Sequence, residues 1–242
     1  MILNQFAYGN YKSLDDCGLY IEKRPSPTVP QRDTTKTHVP GRSGDVIQDN
    51  GCFLNATRTY KVGCSDIDAN MPNIRKMLTQ TGYNELIDTY DPNFYRLAAV
   101  VNTVSFEEDL LNFGHANIQF DCEPYMYDIF GKWRLSVSTS STKPSELENT
   151  YDAESLPTIL IQAEGGKTVN IMLNSKSFQF KMPSGENKVY INSKNQLCYY
   201  NSKNLISGYL SDSFPVLATG KNSICVINAT SAYVYPHWRK LG

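Results

Sequence analysis

Phe214-Pro215-Val216-Leu217-Ala218-Thr219-Gly220-Lys221-Asn222-Ser223-Ile224, with the ending Tyr235-Pro236-His237-Trp238-Arg239-Lys240-Leu241, decides the fold. The first stretch is a bend that runs into a strand. Pro215 fixes its own φ and removes a backbone donor. Gly220 permits a left-handed turn, and Asn222 can bond nearby backbone before the strand starts. Upstream, the side-chain period is two. Val169, Ile171 and Leu173 point one way, and Thr168, Asn170 and Met172 the other. Asn174-Ser175-Lys176-Ser177 turns the chain, and Phe178, Phe180 and Met182 return on the first face. Val189-Tyr190-Ile191, Leu197-Cys198-Tyr199-Tyr200, Ile224-Cys225-Val226-Ile227 and Ala232-Tyr233-Val234-Tyr235 continue the alternation. Short strands at regular spacing with turn chemistry between them predict a β-sandwich or jelly roll over residues 133–242. The Ser/Thr-rich stretch 139–155 reads as a linker or long loop just inside that domain.

Residues 1–132 read as a second β-domain with one helix. Residues 1–24 give strand, turn at Gly9-Asn10, and strand. Residues 25–37 carry Pro25, Pro27 and Pro30 and read as a loop or extended arm, because proline cannot donate to a ladder. Residues 51–64 read as one long strand. Asn70 is positioned to cap a helix over Met71–Thr81, with Pro72 in the first turn. Ile74, Met77 and Leu78 would make its apolar face, and Gly82 would stop it. Strands at 85–90 and 94–104 flank the turn Asp91-Pro92-Asn93, and another strand spans about 114–124.

The bend and the terminal P-x-W-R-x-L closely resemble the C-terminal domain of the distal tail proteins (Dit) of long-tailed, non-contractile phages. Val39-Pro40-Gly41-Arg42-Ser43-Gly44-Asp45-Val46 and Asn50-Gly51-Cys52-Phe53 resemble that family's P-G-R-S-G-D segment and the glycine turn after it. Tyr95-Arg96-Leu97-Ala98 and Phe120-Asp121-Cys122-Glu123-Pro124-Tyr125 match as well, so the resemblance runs through nearly the whole chain. It implies a mainly β protein: an N-terminal ring-forming β-domain with one helix and a C-terminal galectin-like sandwich. It also implies a virion structural protein of the tail tip or baseplate. Six copies would form a hub at the end of the tail tube that lets DNA through without binding it specifically. The partners so implied are the tail tube protein, the tape-measure protein and tail-associated or receptor-binding proteins.

The bulk numbers agree with a structural role. The chain has 242 residues, enough for two ordinary domains, and 16 of its 28 Phe, Trp and Tyr residues are Tyr. Tyrosine suits half-buried strand faces and interfaces. A net charge of −1 favours neither nucleic acid nor acidic lipid. Residues 1–132 hold 12 Lys and Arg against 17 Asp and Glu (−5), and residues 133–242 hold 11 against 7 (+4). If the N-terminal half surrounds a channel, Asp15, Asp16, Asp45, Asp49, Glu107, Glu108 and Asp109 are candidates to rim it and repel the duplex. Met1–Phe6 lacks the basic start of a secretory leader, and no apolar run reaches membrane-span length, so synthesis in the host cytoplasm is expected.

No motif for chemistry emerges. Cys17, Cys52, Cys64, Cys122, Cys198 and Cys225 contain no C-x-x-C pair and read as reduced structural thiols. His38, His115 and His237 have no ligand at metal spacing, and no metal or cofactor is expected. Nothing in the sequence sets a partner across from the run Glu107-Glu108-Asp109, as glycoside hydrolysis requires. Gly41-Arg42-Ser43-Gly44-Asp45 lacks the Lys-Ser/Thr ending and following helix of a phosphate loop. It reads as a tight turn in which Arg42 and Asp45 pair locally or across a subunit boundary. No enzyme is expected. The alternative reading is a carbohydrate-binding module for host cell-surface glycans, with Trp133, Trp238 and several tyrosines as candidates.

Overall fold

The computed structural model describes residues 4–110, 113–200, 205–206 and 213–242, the side chains of 108–110 and 205–206 excepted. The described chain is mainly antiparallel β, with one α-helix. It divides into two compact units, Met1–Met126 with Leu241–Gly242, and Tyr127–Lys240. Among the described residues no helix is long and apolar enough to cross a membrane.

The first unit contains β1 (Phe6–Tyr8), β2 (Tyr11–Lys12), β3 (Leu19–Lys23), β4 (Arg32–Thr37), β5 (Val46–Phe53), β6 (Ala56–Cys64), α1 (Ile67–Leu78), β7 (Asn84–Asp88), β8 (Phe94–Val100), β9 (Glu107–Leu110) and most of β10 (Phe113–Asp128). Its main sheet runs β2-β1-β7-β8-β10-β6-β3, with β9 alongside β10. Phe6, Tyr60 and Phe120 meet at ring distances of 5.1 to 5.7 Å in the core, and α1 adds Ile67, Ile74 and Met77. Burying each such side chain contributes about 1.5–3 kcal/mol.

Four local readings change here. The helix starts a turn earlier than Asn70, because Asp66 accepts from the Ala69 amide at 3.2 Å and is the true N-cap. Asn70 instead lies inside the helix and donates its side-chain amide to the Asp66 carbonyl at 2.8 Å. Pro72 then sits in the second turn. Residues 25–37 are only partly a loop: β4 pairs with β5 in a separate two-stranded hairpin, after the last proline has passed. The expected long strand 51–64 is two strands, broken where the Leu54 amide turns to the Gln31 carbonyl at 2.8 Å. The strand expected over 94–104 stops at Val100, where Asn102 accepts from the Gln119 amide at 2.7 Å.

The second unit opens with a 3-10 turn (Ile129–Lys132) and continues with β11 (Leu135–Val137), β12 (Ser145–Asn149), β13 (Thr158–Gln162), β14 (Thr168–Leu173), β15 (Lys176–Lys181), β16 (Lys188–Asn192), β17 (Leu197–Tyr199), β18 (Leu205–Ile206), β19 (Gly220–Ile227) and β20 (Ser231–Tyr235), while the last strand, β21 (Arg239–Leu241), pairs with β10. One sheet runs β11-β20-β13-β16-β17-β18 and the other β12-β19-β14-β15. Ile159, Ile161, Val189, Ile191 and Val234 from the first share one core with Val169, Ile171, Phe178, Phe180 and Val226 from the second. The alternation read from sequence is the alternation that packs. The stretch 139–155, read as linker or loop, carries β12, whose register against β19 runs from Ser145↔Ile224 to Asn149↔Gly220. Its Ser/Thr content hides a strand because only Leu147 and Asn149 turn inward.

The Phe214–Ile224 bend is built as its residues predict. Gly220 has φ 80°, and Leu217 is fully buried with a two-bond bridge to Ser155. Asn222 is buried and donates to the Ala218 and Gly220 carbonyls at 2.9 and 3.0 Å, while its oxygen accepts from the Ala218 amide at 2.9 Å. Phe214 is half-buried against the core. The terminal motif runs from the end of β20 through a loop into a short last strand. Pro236, His237 and Trp238 form a loop between β20 and β21, and the Trp238 ring packs on the core.

Candidate functional surfaces

The most concentrated polar chemistry lies inside the first unit. Arg58, on β6, donates to Tyr60 and to Asp88 at 2.9 Å each, and Tyr60 donates to the same Asp88 oxygen at 2.6 Å. Burial alone would raise the Asp88 pKa, but the Tyr60 hydroxyl and the Arg58 guanidinium outweigh it and hold the carboxyl low. Asp88 also accepts from the Tyr90 and Asp91 amides at 3.0 Å, which builds the turn between β7 and β8. Arg96 lies buried nearby, its pKa lowered by burial and by the Arg58 charge. Burial pushes the Cys122 thiol up to about 11. Arg96 and Cys122, from the matched segments Tyr95–Ala98 and Phe120–Tyr125, thus lie within the electrostatic reach of this network. Arg58, Tyr60 and Asp88 satisfy one another, so the network specifies the fold and leaves no reactive group exposed.

The histidines each have a local partner. His38 faces Asp45 at 3.5 Å, His115 contacts Glu22, and His237 lies 3.1 Å from the Thr158 hydroxyl. No group of three metal-ligating side chains occurs among the described residues. In Gly41–Asp45, Asp45 is therefore drawn to His38 and not to Arg42. The acidic residues proposed for a channel rim are partly neutralised at short range: Asp15 pairs with Lys12 at 3.3 Å and Asp49 with Arg32 at 2.8 Å. Glu107 is exposed on β9, and the side chains of Glu108 and Asp109 lie outside the described residues.

Exposed apolar groups gather in two places. The β4–β5 hairpin, whose connection holds P-G-R-S-G-D, exposes Val39, Val46 and Ile47, the last at 64 %. Gly41 and Gly44 there have φ near 80°, with no atom within 4 Å of an added Cβ. At the start of the second unit, Trp133 is 62 % exposed and meets Phe130 edge-on at 5.0 Å. Two concavities of about 590 and 500 Å³ also occur, the first between α1 and residues 100–106 and the second beside Phe214.

A helix-bearing β-unit, a two-sheet sandwich and a separate exposed hairpin define the class: a two-unit, mainly antiparallel β-protein. The Dit protein (gp 19.1) of phage SPP1, whose crystal structure is described as a paradigm of the hub adsorption apparatus in phages infecting Gram-positive bacteria, has the same fold. The likeness has a TM-score of 0.69 and covers 95% of this chain and 96% of that one, at 14% identity. The chain therefore has a Dit-like fold over 95% of its length. No family model matches the chain, and no curated protein matches it in sequence.

Proposed function

We propose that this chain is the distal hub of a phage tail, a virion structural protein without catalytic activity, made in the host cytoplasm. The observation that carries the reading is the Dit-like fold across 95% of the chain. In this reading the N-terminal domain, residues 1–132, closes a ring of six around a channel for DNA. The galectin-like C-terminal domain, residues 133–242, carries the adhesion proteins of the tail tip. Ring closure needs a heterologous interface, in which two different surfaces of one chain meet. The exposed Val46 and Ile47 of the hairpin supply one such surface. Light scattering of the full chain over a concentration series tests the ring. Six copies are expected, with Ile47→Asp shifting the particles towards monomer while the melting temperature holds. A wild-type chain that stays monomeric at high concentration counts against the hub.

The carbohydrate-binding reading rests on Trp133, an exposed ring beside Phe130. Sugar recognition needs open aromatic faces next to polar groups. On the six-stranded sheet the tyrosine faces are engaged: Tyr190 by Tyr199, Tyr233 by Arg134 and Tyr235 by His237. The hub reading is therefore the stronger one.

A further inference from the structure

The outward face of the six-stranded sheet has an unusual composition. Cross-strand partners share a face. The register pairs Tyr233 with Leu160, Leu160 with Tyr190, and Tyr190 with Tyr199. These four residues form one straight row across β20, β13, β16 and β17, about 15 Å long at the usual strand spacing. Leu160 is only 3 % exposed yet belongs to neither hydrophobic core, with a tyrosine on each side of it in the row. The three tyrosines stay half-exposed. Tyr190 and Tyr199 stack at 5.1 Å and 10°, Lys188 lies over the Tyr190 ring at 5.3 Å, and Arg134 over Tyr233 at 5.0 Å. The rings are held by one another and by cations.

Charge separates this face from the rest of the chain. Strands β11, β13, β16, β17, β18 and β20 contain no Asp or Glu. Arg134 and Lys188 are exposed beside the row, and Glu164, just beyond β13, is held by Lys167 at 2.5 Å. The β12 strand of the opposite sheet carries Glu146 and Glu148. Tyrosine and arginine without carboxylates is the composition of protein-interface cores, where rigid amphipathic rings bury much area at little entropic cost.

We infer that the Tyr233–Leu160–Tyr190–Tyr199 row, flanked by Arg134 and Lys188, is a docking face for an acidic protein surface. The cations steer the partner, and the tyrosines, whose faces are engaged, anchor it through their half-exposed edges and hydroxyls. The inference rests on register and composition and is independent of ring formation, so a monomeric chain leaves it standing.

The test uses the full chain, immobilised, and a combinatorial library of short displayed peptides. Selected sequences are expected to be rich in Asp and Glu with an apolar or aromatic anchor. Their affinity should fall about tenfold or more in the Arg134→Glu/Lys188→Glu double variant and weaken with added salt. Both side chains are exposed, so the melting temperature should not move. The double variant should in turn select basic peptides. A neutral or basic consensus on the wild-type chain, acidic peptides that bind both proteins equally, or no enrichment overturns the inference. Binding of duplex DNA or of a glycan panel that depends on these two residues, in place of the peptides, also overturns it and reassigns the face.

Discussion

His237 shows what one position in the terminal motif does. Its amide donates to the Gly131 carbonyl at 2.9 Å, and its ring stacks on Tyr235. Burial, with Lys194 and Lys132 nearby, pushes its pKa from 6.5 down to about 4. The folded chain thus holds a neutral imidazole. An unfolded chain takes up the proton near pH 6.5, so stability from this residue is complete above that pH. It is lost as pH falls towards 4, by an amount on the order of 3 kcal/mol. Denaturant unfolding of the second unit, followed by Trp fluorescence between pH 7 and about 4, should show this decline. NMR titration should place His237 well below 6.5, at about 4. A normal His237 titration would mean the ring is solvated. Gly131 makes the contact possible, because a Cβ there would lie 2.6 Å from the Trp238 nitrogen.

At the scale of elements, helix α1 separates two ways of starting a helix. Asn70-x-Pro72 is a respectable start signal, but Asp66 is where the backbone leaves the helix, with φ −149°. Capping satisfies an otherwise orphaned amide. Asp66→Ala should therefore lower stability by about 1 kcal/mol. Asn70→Ala should cost less, because an interior residue of the helix already has its amide bonded to the Asp66 carbonyl. Thermal or urea melts of the two variants decide the matter, and the reverse order would restore Asn70 as the cap. The hairpin makes the complementary point. Its sequence reads as an arm because its prolines come first, and its pairing appears only once β5 lies opposite β4.

For the whole molecule, the thiols report on both units at once. All six cysteines are free; Cys52 is exposed on the hairpin, and the other five are buried. Burial pushes Cys17, Cys122 and Cys198 each to about 11, which suppresses the reactive thiolate. Titration of the native chain at neutral pH should modify Cys52 alone, and titration after denaturation should modify six. Fast reaction of a second native thiol would show that one core opens readily. The same molecule combines an acidic N-terminal half with a basic C-terminal half. Short-range pairing of Asp15 and Asp49 with basic side chains weakens any far-reaching acidic field from those positions.

The sequence by itself determined the β class, the pairing of a helix-bearing sheet with a sandwich, and the inward set Val169, Ile171, Phe178 and Phe180. Those features follow from local periodicity, which survives without knowledge of partners. It also carried the resemblance that the Dit-like fold bears out. Tertiary structure alone decided the rest. The Arg58–Tyr60–Asp88 network joins residues up to 30 positions apart, and no local pattern marks them as partners. The tyrosine row exists only because β20, β13, β16 and β17 lie side by side in that register. A one-residue slip in any strand would turn its side chain to the other face and dissolve the row.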